Sequence, residues 1–563
     1  MRFIRNIFTI VASAAVMASC DFLDCSETDF YELDEIQESY KQVKPYCINV
    51  YGYIPHDFCS IDGAMMDAAT DDAIHVYETS NVQRFVNGTW APNNTIDDVF
   101  GKYYNGIHDA NYYLENFTNL KFEEWEHSAD YDKAVMEYKN YEHEIRFLRA
   151  FFYFELVRRY QNIPLIEKVM TQSEINDVKP NTSDEIFDFI IKECDEVAKL
   201  LPINYNDFPS KEMGRATRGA ALALKARAAL YKASPLFNKD NDKKRWEKAA
   251  EYAYDIIGNA EELGYKLVFF KELFGAGNHN SKEVIFYRPI GSGNDFESKN
   301  FPFGVTNGKT STCPSENLAS TFGMKNGKDF DWHSSTSKRD PYKYRDPRFY
   351  ETIVHNGMEW PANTPVEIYQ GGANAQPNPD ATKTGYYLKK YVNNNISFEP
   401  GAPTAKAHHN WIIFRYGEVL LNYAEAMINA YGDFNFTNEE CGMSAIDAVN
   451  AIRMREGVRI GKLSSKLTPE EFLESVKKER RVEMAFEGQR FWDLRRWKEL
   501  DKNTTIYGIN IVKNEEGKLE YGTDNNMEPH EVKKIAFDEK MYFYPFNQKE
   551  LFKNTNLKQN PGW

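Results

Sequence analysis

Residues 479–497 read Glu479-Arg480-Arg481-Val482-Glu483-Met484-Ala485-Phe486-Glu487-Gly488-Gln489-Arg490-Phe491-Trp492-Asp493-Leu494-Arg495-Arg496-Trp497. Four acids are interleaved with five arginines. Opposite charges three or four residues apart on a helix attract each other, and the arginine fork matches a carboxylate. Glu483 and Glu487 fall on one helical face with Asp493 near, which allows two readings. Paired carboxylates are the equipment of a glycosidase. Two glutamates on one face of one helix, however, do not flank a sugar from opposite sides. The interleaved arginines favour a structural salt-bridge lattice, and the segment is read as scaffold.

Outward from this segment the chain reads as paired helices. Tyr416 to Ala430 and Ser444 to Arg455, closed by Gly457, form the pair that precedes it. Earlier, Thr217 to Ala233 is Ala-rich and a strong helix former. It is followed, after Pro235, by Trp246 to Ile257. Tyr138 to Tyr160 is a long aromatic segment broken by Asn162 and Pro164, and a partner capped by Ser183 and Asp184 runs to Leu200, before Pro202. Asp34 to Tyr53 and Val99 to Phe117 are further helical stretches; in the second, Phe100, Tyr103, Tyr104, Ile107 and Asn111 recur at three- and four-residue steps. Each pair joins an apolar, aromatic-ended helix to an amphipathic one, the logic of tetratricopeptide-like hairpins, without a strict 34-residue period. The predicted fold class is mainly α, a TPR-like scaffold.

Between about Gly264 and Asn410 the texture changes. Gly, Pro, Asn, Ser and Thr become dense, as in Gly291-Ser292-Gly293-Asn294 and Gln376-Pro377-Asn378-Pro379, and short β-like runs such as Glu283-Val284-Ile285-Phe286-Tyr287 intervene. Long ordered loops in a compact protein are usually functional. The organisation expected is an N-terminal helical region over 31–263, a loop-rich insertion with short β elements over 264–410, and a C-terminal helical region and tail over 411–563, together one compact domain.

The first twenty residues carry a different message. Arg2 and Arg5 are their only charges, and Ile7 to Ala18 is apolar or small. This is the pattern of a secretory signal, too short to span a bilayer comfortably. It ends in Met17-Ala18-Ser19-Cys20, a lipobox-like sequence with Met17 where Leu is usual. Residues 1–19 are read as a lipoprotein signal peptide, Cys20 as the lipidated residue, and 20–30 as a tether. An ordinary cleaved signal with an incidental Cys is the other reading. Several acyl chains on Cys20 would hold the protein stably to a membrane. Elsewhere no apolar run reaches the roughly 18 residues that would suggest a spanning helix.

Over its 563 residues the chain has 68 Lys and Arg against 84 Asp and Glu, a net charge of −16. Without residues 1–19 the balance is 66 against 84, or −18. Such a surface argues against nucleic acid, whose phosphates need cations. Cys25, Cys47, Cys59, Cys194, Cys313 and Cys441 are dispersed, with no C-x-x-C pair. Cys47 with Cys59 is the nearest plausible disulfide, free buried thiols are the better reading, and the spacing disfavours zinc. No H-E-x-x-H, P-loop or G-x-S-x-G occurs, and Asp57, Asp62, Asp67 and Asp71-Asp72 lack EF-hand spacing. No metal, cofactor or catalytic residue is expected.

The 479–497 motif resembles the hallmark of the SusD/RagB family of Bacteroidetes. Glu144 to Tyr160 with Pro164 is similar to its aromatic-rich early helix, and Asp346-Pro347-Arg348-Phe349 to its mid-chain element. Phe414 to Ala426 and Asn450 to Arg455 resemble two further helices, and Asn556 to Trp563 the C-terminal tail. Gly417 stands where Ala is usual in that family and Trp563 where Tyr is common. The acidic Asp21-Phe22-Leu23-Asp24 resembles a surface-export signal of such lipoproteins. The resemblance implies a non-enzymatic, surface-exposed outer-membrane lipoprotein. It would sit as a lid on a SusC-like TonB-dependent β-barrel transporter and capture oligosaccharide or polysaccharide. A RagB-like oligopeptide-binding protein of the same import machinery is the alternative.

A sugar ring offers a flat C–H face and a hydroxyl rim, so a binder needs aromatic platforms flanked by polar side chains. Trp90 lies in Asn87-Gly88-Thr89-Trp90-Ala91-Pro92-Asn93-Asn94, a loop by composition, after Asp72 and Arg84. In the family, the loop before the aromatic helix and the inserted region share the ligand site. The candidate ligand-binding residues are Asp72, Arg84, Trp90, Asn93, Phe296, Trp332 and Trp360. Two or three partly covered rings at 1.5–3 kcal/mol each, less the cost of association, give an affinity of about micromolar to millimolar.

Overall fold

The computed structural model describes residues 31–208, 212–361, 364–402, 404–522 and 526–563. The signal peptide, the lipobox with Cys20, the acidic segment after it and Cys25 lie outside the described residues. The chain winds into consecutive antiparallel helices, named α1 (Tyr40–Tyr51), α2 (Phe100–Asn116), α3 (Tyr131–Tyr160), α4 (Ser183–Ala198), α5 (Arg218–Ala233), α6 (Lys243–Ile257), α7 (Tyr416–Tyr431), α8 (Ala445–Arg453), α9 (Pro469–Glu483) and α10 (Arg490–Arg496). From α2 to α8 each packs on the next, and α7 also carries α9. This mainly α, hairpin-by-hairpin scaffold is the one expected.

Local chemistry sets the helix ends. Thr182 and Thr468 each accept a bond from the backbone N–H three residues on, while Glu185 and Glu471 reach back to the cap: reciprocal capping boxes. The cap of α4 is thus Thr182, one residue before the Ser183 and Asp184 expected, because only Thr182 has Glu three positions later. Thr217 and Ser444 cap α5 and α8. Helix α3, 30 residues long, is buried on nearly every side from Phe147 to Val157. Ala220, Ala221, Ala223, Ala226, Ala228 and Ala229 of α5 let α4 and α6 approach closely.

The 479–497 segment is not one helix. Helix α9 ends at Glu483 and α10 begins at Arg490, with Phe486 and Gly488 in the left-handed region (φ 56° and 68°) between them. Glu487 therefore sits in a turn, not on the helical face shared with Glu483 that periodicity suggested.

From the loop-rich stretch, strand β1 (Val284–Gly293) pairs antiparallel with β2 (Ala407–Arg415), setting Val284 opposite Arg415 and Ile290 opposite His409. His408 and His409 are neighbours on β2: His408 faces solvent and His409 is buried. Cys47, Cys59, Cys194, Cys313 and Cys441 are all buried and free, so Cys47 and Cys59 are not bridged. No described helix is long and apolar enough to cross a membrane. Among the described residues no group of three or more His, Cys, Asp or Glu is placed to hold a metal ion.

Candidate functional site

The opening motif builds three buried ionic clusters. In the first, Arg415 donates from Nη1 to Glu283 Oε1 and Glu483 Oε1 (2.8 Å each) and from Nε to Glu487 Oε2 (2.7 Å). Arg455 reaches Glu483 (2.9 Å), and Arg348 reaches Glu479 (2.6 Å), Glu483 (2.8 Å) and Asp346 (2.8 Å). In the second, Arg480 and Arg496 share Asp493, and Arg496 and Trp497 both donate to Glu425 (2.7 Å each). In the third, Arg481 and Arg490 clamp Asp71 (2.7 and 3.0 Å), and Arg481 also holds Asp72 (2.6 Å). One sequence motif thereby ties the N-terminal region, the inserted stretch and α7 together.

Burial alone would raise the Glu483 carboxyl, but Arg455, Arg415 and Arg348 outweigh it and hold it far below the ordinary range. Glu487 and Asp493 are likewise buried and held low, by Arg415 with Lys390 and by Arg480 with Arg496. A carboxylate whose pKa is lower folded than unfolded gives stability present above the unfolded value and lost as pH falls through the folded one. Asp67 acts in the opposite sense: burial and the neighbouring Asp72 push it up to about 7, so its proton uptake adds stability as pH falls from there to about 4. The denaturation midpoint is expected to fall steeply below about pH 4, where the Asp67 contribution is complete and these three carboxyls take up protons in the unfolded chain but not in the fold. A midpoint unchanged down to about pH 2, read by circular dichroism, contradicts this.

Gly417 explains its own departure from the family pattern. A Cβ there would lie 2.5 Å from Arg415 Nη1 and 2.8 Å from Glu283 Oε1. Both atoms are fixed by the first cluster, so neither yields freely. Gly417→Ala gains about 1 kcal/mol of helix propensity, yet is expected to lose a net ~1–3 kcal/mol through overpacking, measurable as a lower urea midpoint. A higher midpoint would show that the cluster relaxes at little cost.

The first cluster also positions a cleft. Lys390, lowered to about 8 by burial against the pull of Glu487, donates to Glu487 Oε1 (2.7 Å) and to the Glu483 carbonyl (3.3 Å). That anchor holds the next residue, Tyr391, at φ 67°, a strained conformation for a side chain of this size. Tyr391 stacks on Trp411 (5.4 Å, 27°) and meets Phe274 edge-on (4.9 Å, 75°). Beyond it, Asn393, Asn394 and Asn395 line a cavity of about 400 Å³ together with Lys271, His408 and Asn410. Buried Glu297 fixes two of its walls, accepting from His409 Nε2 (2.8 Å) and from the Asn393 backbone N–H (3.0 Å). Asn410 Nδ2 donates to the Ala276 carbonyl (3.1 Å). Half-buried Phe274 and the edge of Trp360 supply apolar surface. The lining matches a ligand rich in hydroxyls with one flat apolar face.

The sequence candidates are mostly elsewhere, and mostly buried. Trp90 is 3 % exposed, enclosed by Trp563 (4.7 Å), Phe85 (5.0 Å) and Tyr544 (5.3 Å), so it is no open platform. Its wall is the C-terminal tail, where Trp563 Nε1 bonds the Lys540 and Phe543 carbonyls. Trp332 packs on Phe330 and donates to Glu316 Oε1 (2.9 Å), and Phe296 packs edge-on to Phe58 (4.9 Å). Asp72 is fully buried in the third cluster. Arg84, half-buried, donates to the Asn94 carbonyl, and Asn93 faces solvent. The expectation of exposed aromatic platforms is therefore corrected for Trp90, Trp332 and Phe296: large rings in loops gain more from covering the core than from facing water. Of the candidates, Trp360 alone lines the Asn-rich cleft, and with its ring 3 % exposed it offers an edge, not a face. Sequence reasoning missed Asn393–Asn395, His408 and Asn410, although three consecutive Asn after a Tyr were a readable signal.

Comparison with known proteins agrees with this architecture. Residues 276–563 match the model of the SusD family, and residues 21–230 match a family described as starch-binding associating with outer membrane. The SusD-like protein P2 of Formosa agariphila is 26% identical over 442 residues, covering 74% of this chain and 73% of that protein. A crystal structure of a SusD-like protein from Bacteroides fragilis superposes with a TM-score of 0.74 at 27% identity, over 94% of this chain and 98% of that one. A second protein of that species, a SusD-like carbohydrate-binding protein, gives 0.73 at 24% identity, over 93% and 100%. The SusD-family match spans more than half of the chain, including residues 479–497 and the clusters they build, and the chain belongs to the SusD family.

Proposed function

We propose that the protein captures oligosaccharide or polysaccharide at the cell surface, held to the outer membrane through lipidated Cys20, and passes it to a SusC-like TonB-dependent β-barrel transporter. The observation that carries this reading is the Asn-rich cleft. Its amides, His408 and Lys271 present donors and acceptors, with Phe274 and Trp360 as the apolar surface beneath. That is the chemistry of a sugar site, and about 400 Å³ suits a short stretch of glycan. The fold shared with a carbohydrate-binding SusD-like protein supports the same reading. Within the 479–497 segment every carboxylate is already engaged by Arg or Lys, so none is free to act as a general acid.

Affinity electrophoresis through gels containing a polysaccharide panel tests this. One glycan is expected to retard the protein, with an affinity of about micromolar to millimolar. Asn394→Ala and His408→Ala, both at exposed positions, are expected to relieve the retardation at least tenfold with an unchanged unfolding temperature. Retardation that survives both changes would remove the cleft from the site. Binding of an oligopeptide, with no glycan retarded, would replace glycan capture by RagB-like peptide capture.

A further inference from the structure

Trp411 forms the far side of the aromatic wall that Tyr391 presents to the Asn-rich cleft, and behind it lies a second cavity of about 300 Å³. Its lining is unusual in a chain of net charge −16: Lys102, Arg158, Arg159, Arg227 and Arg288 all face it. Three of these cations are satisfied. Arg159 lies between Asp97 (3.1 Å) and Glu155 (2.7 Å), Arg158 pairs with Glu155 (2.6 Å), and Arg227 pairs with Glu418 (2.6 Å). Glu487, also on the wall, is held by Arg415 and Lys390. Lys102 and Arg288 remain. Among the described residues neither has a carboxylate within ion-pair distance; Arg288 donates to the Ile54 carbonyl, and Lys102 lies over the Tyr103 ring (5.3 Å). In addition, the Nε of Arg158, on a side chain 10% exposed, is buried with no acceptor.

Half-buried cations without counter-charges destabilise one another, and an anion entering the cavity relieves that repulsion. We propose that this cavity is a second ligand site that takes the carboxylate-bearing unit of an acidic saccharide, a hexuronate, between Arg288 and Lys102. The proposal rests on the glycan reading of the protein and narrows its substrate class. The rest of the lining favours a sugar acid over a bare ion. Ser60 and Asp57 offer a bonded hydroxyl–carboxyl pair (3.1 Å) to ring hydroxyls, and the indole of Trp411 supplies the apolar side. The volume, at the small end of ligand cavities, fits one sugar unit. Burial first, then Arg288 and Lys102, push His56 down to about 4. Burial and Arg288 lower Lys102 as well.

Isothermal titration calorimetry with D-glucuronate, D-glucose, sodium sulfate and a neutral tripeptide tests the assignment on the full chain. Glucuronate is expected to bind and to weaken with added salt, and glucose to give no heat. Lys102→Gln and Arg288→Gln should each weaken glucuronate at least tenfold. Among the described residues the Lys102 side chain makes no hydrogen bond, so its variant keeps the test valid if Arg288→Gln fails to fold. Equal heats from glucose, sulfate binding as tight as glucuronate, tripeptide binding as tight as glucuronate, or glucuronate binding unaltered by Lys102→Gln would each overturn the proposal. Absence of glucuronate binding alongside intact polysaccharide retardation overturns this site alone. Glucuronate binding without retardation by any glycan overturns the Asn-rich cleft alone.

Discussion

Arg415→Met is expected to cost at least about 3–5 kcal/mol of folding free energy, the range measured when one partner of a buried ion pair is removed. Arg415 is fully buried and its guanidinium contacts three buried carboxylates, Glu283, Glu483 and Glu487. Methionine fills much of the volume but leaves those charges facing one another, with only Arg455, Arg348 and Lys390 to share them. Arg415→Lys should fare little better, because one ammonium cannot reproduce the fork that meets Glu483 and Glu487 from different nitrogens. The loss should appear as a lower guanidinium midpoint, or as failure to accumulate folded protein. A variant that also replaces Glu483 and Glu487 by Gln should recover part of it, since neutral amides no longer repel. Stability unchanged in Arg415→Met would mean that the cluster is incidental to the fold.

The cluster also shows which part of the molecule could be read from its sequence. Alternating Arg and Glu at three- and four-residue spacing is a local pattern, and its reading as a structural lattice is what the structure contains. Helices α2 to α8 were legible for the same reason: Ala-rich and aromatic stripes repeat at the helical period, and breakers such as Pro202 and Pro235 follow. The turn at Phe486 and Gly488 was not, because Glu483 and Glu487 keep helical spacing whether or not the backbone between them is helical. The partners of the lattice, Asp71, Asp346 and Arg415, lie far away in sequence and are joined only by the fold. The same limit hid the Asn-rich cleft. Asn393–Asn395 and His408–Asn410 come together because Lys390 is pinned to Glu487 and because strand β2 pairs with β1. Exposure of a loop aromatic is the least local property of all, since it depends on whatever chain covers the ring.

Trp90 separates the two meanings of a loop tryptophan. Were it a platform for sugar, Trp90→Ala would leave the unfolding temperature unchanged and abolish glycan retardation. The structure leads to the reverse expectation. Removing the indole empties a pocket walled by Phe85, Tyr544 and Trp563, a loss of about 3–5 kcal/mol for a buried Trp. Part of that comes from Trp563, whose edge-on contact holds the C-terminal tail over the loop. Trp563→Ala should therefore destabilise as well, and the double variant should lose less than the sum of the two, because each change already forfeits the shared contact. Asn93→Ala, on the exposed side of the same loop, should leave the midpoint within about 0.5 kcal/mol of the parent. The Trp90→Ala protein that remains folded at low temperature should still be retarded by glycan, since the Asn-rich cleft is lined by none of these rings. Normal stability with lost retardation in Trp90→Ala would return the ligand to the 87–94 loop and require the tail to lift from it.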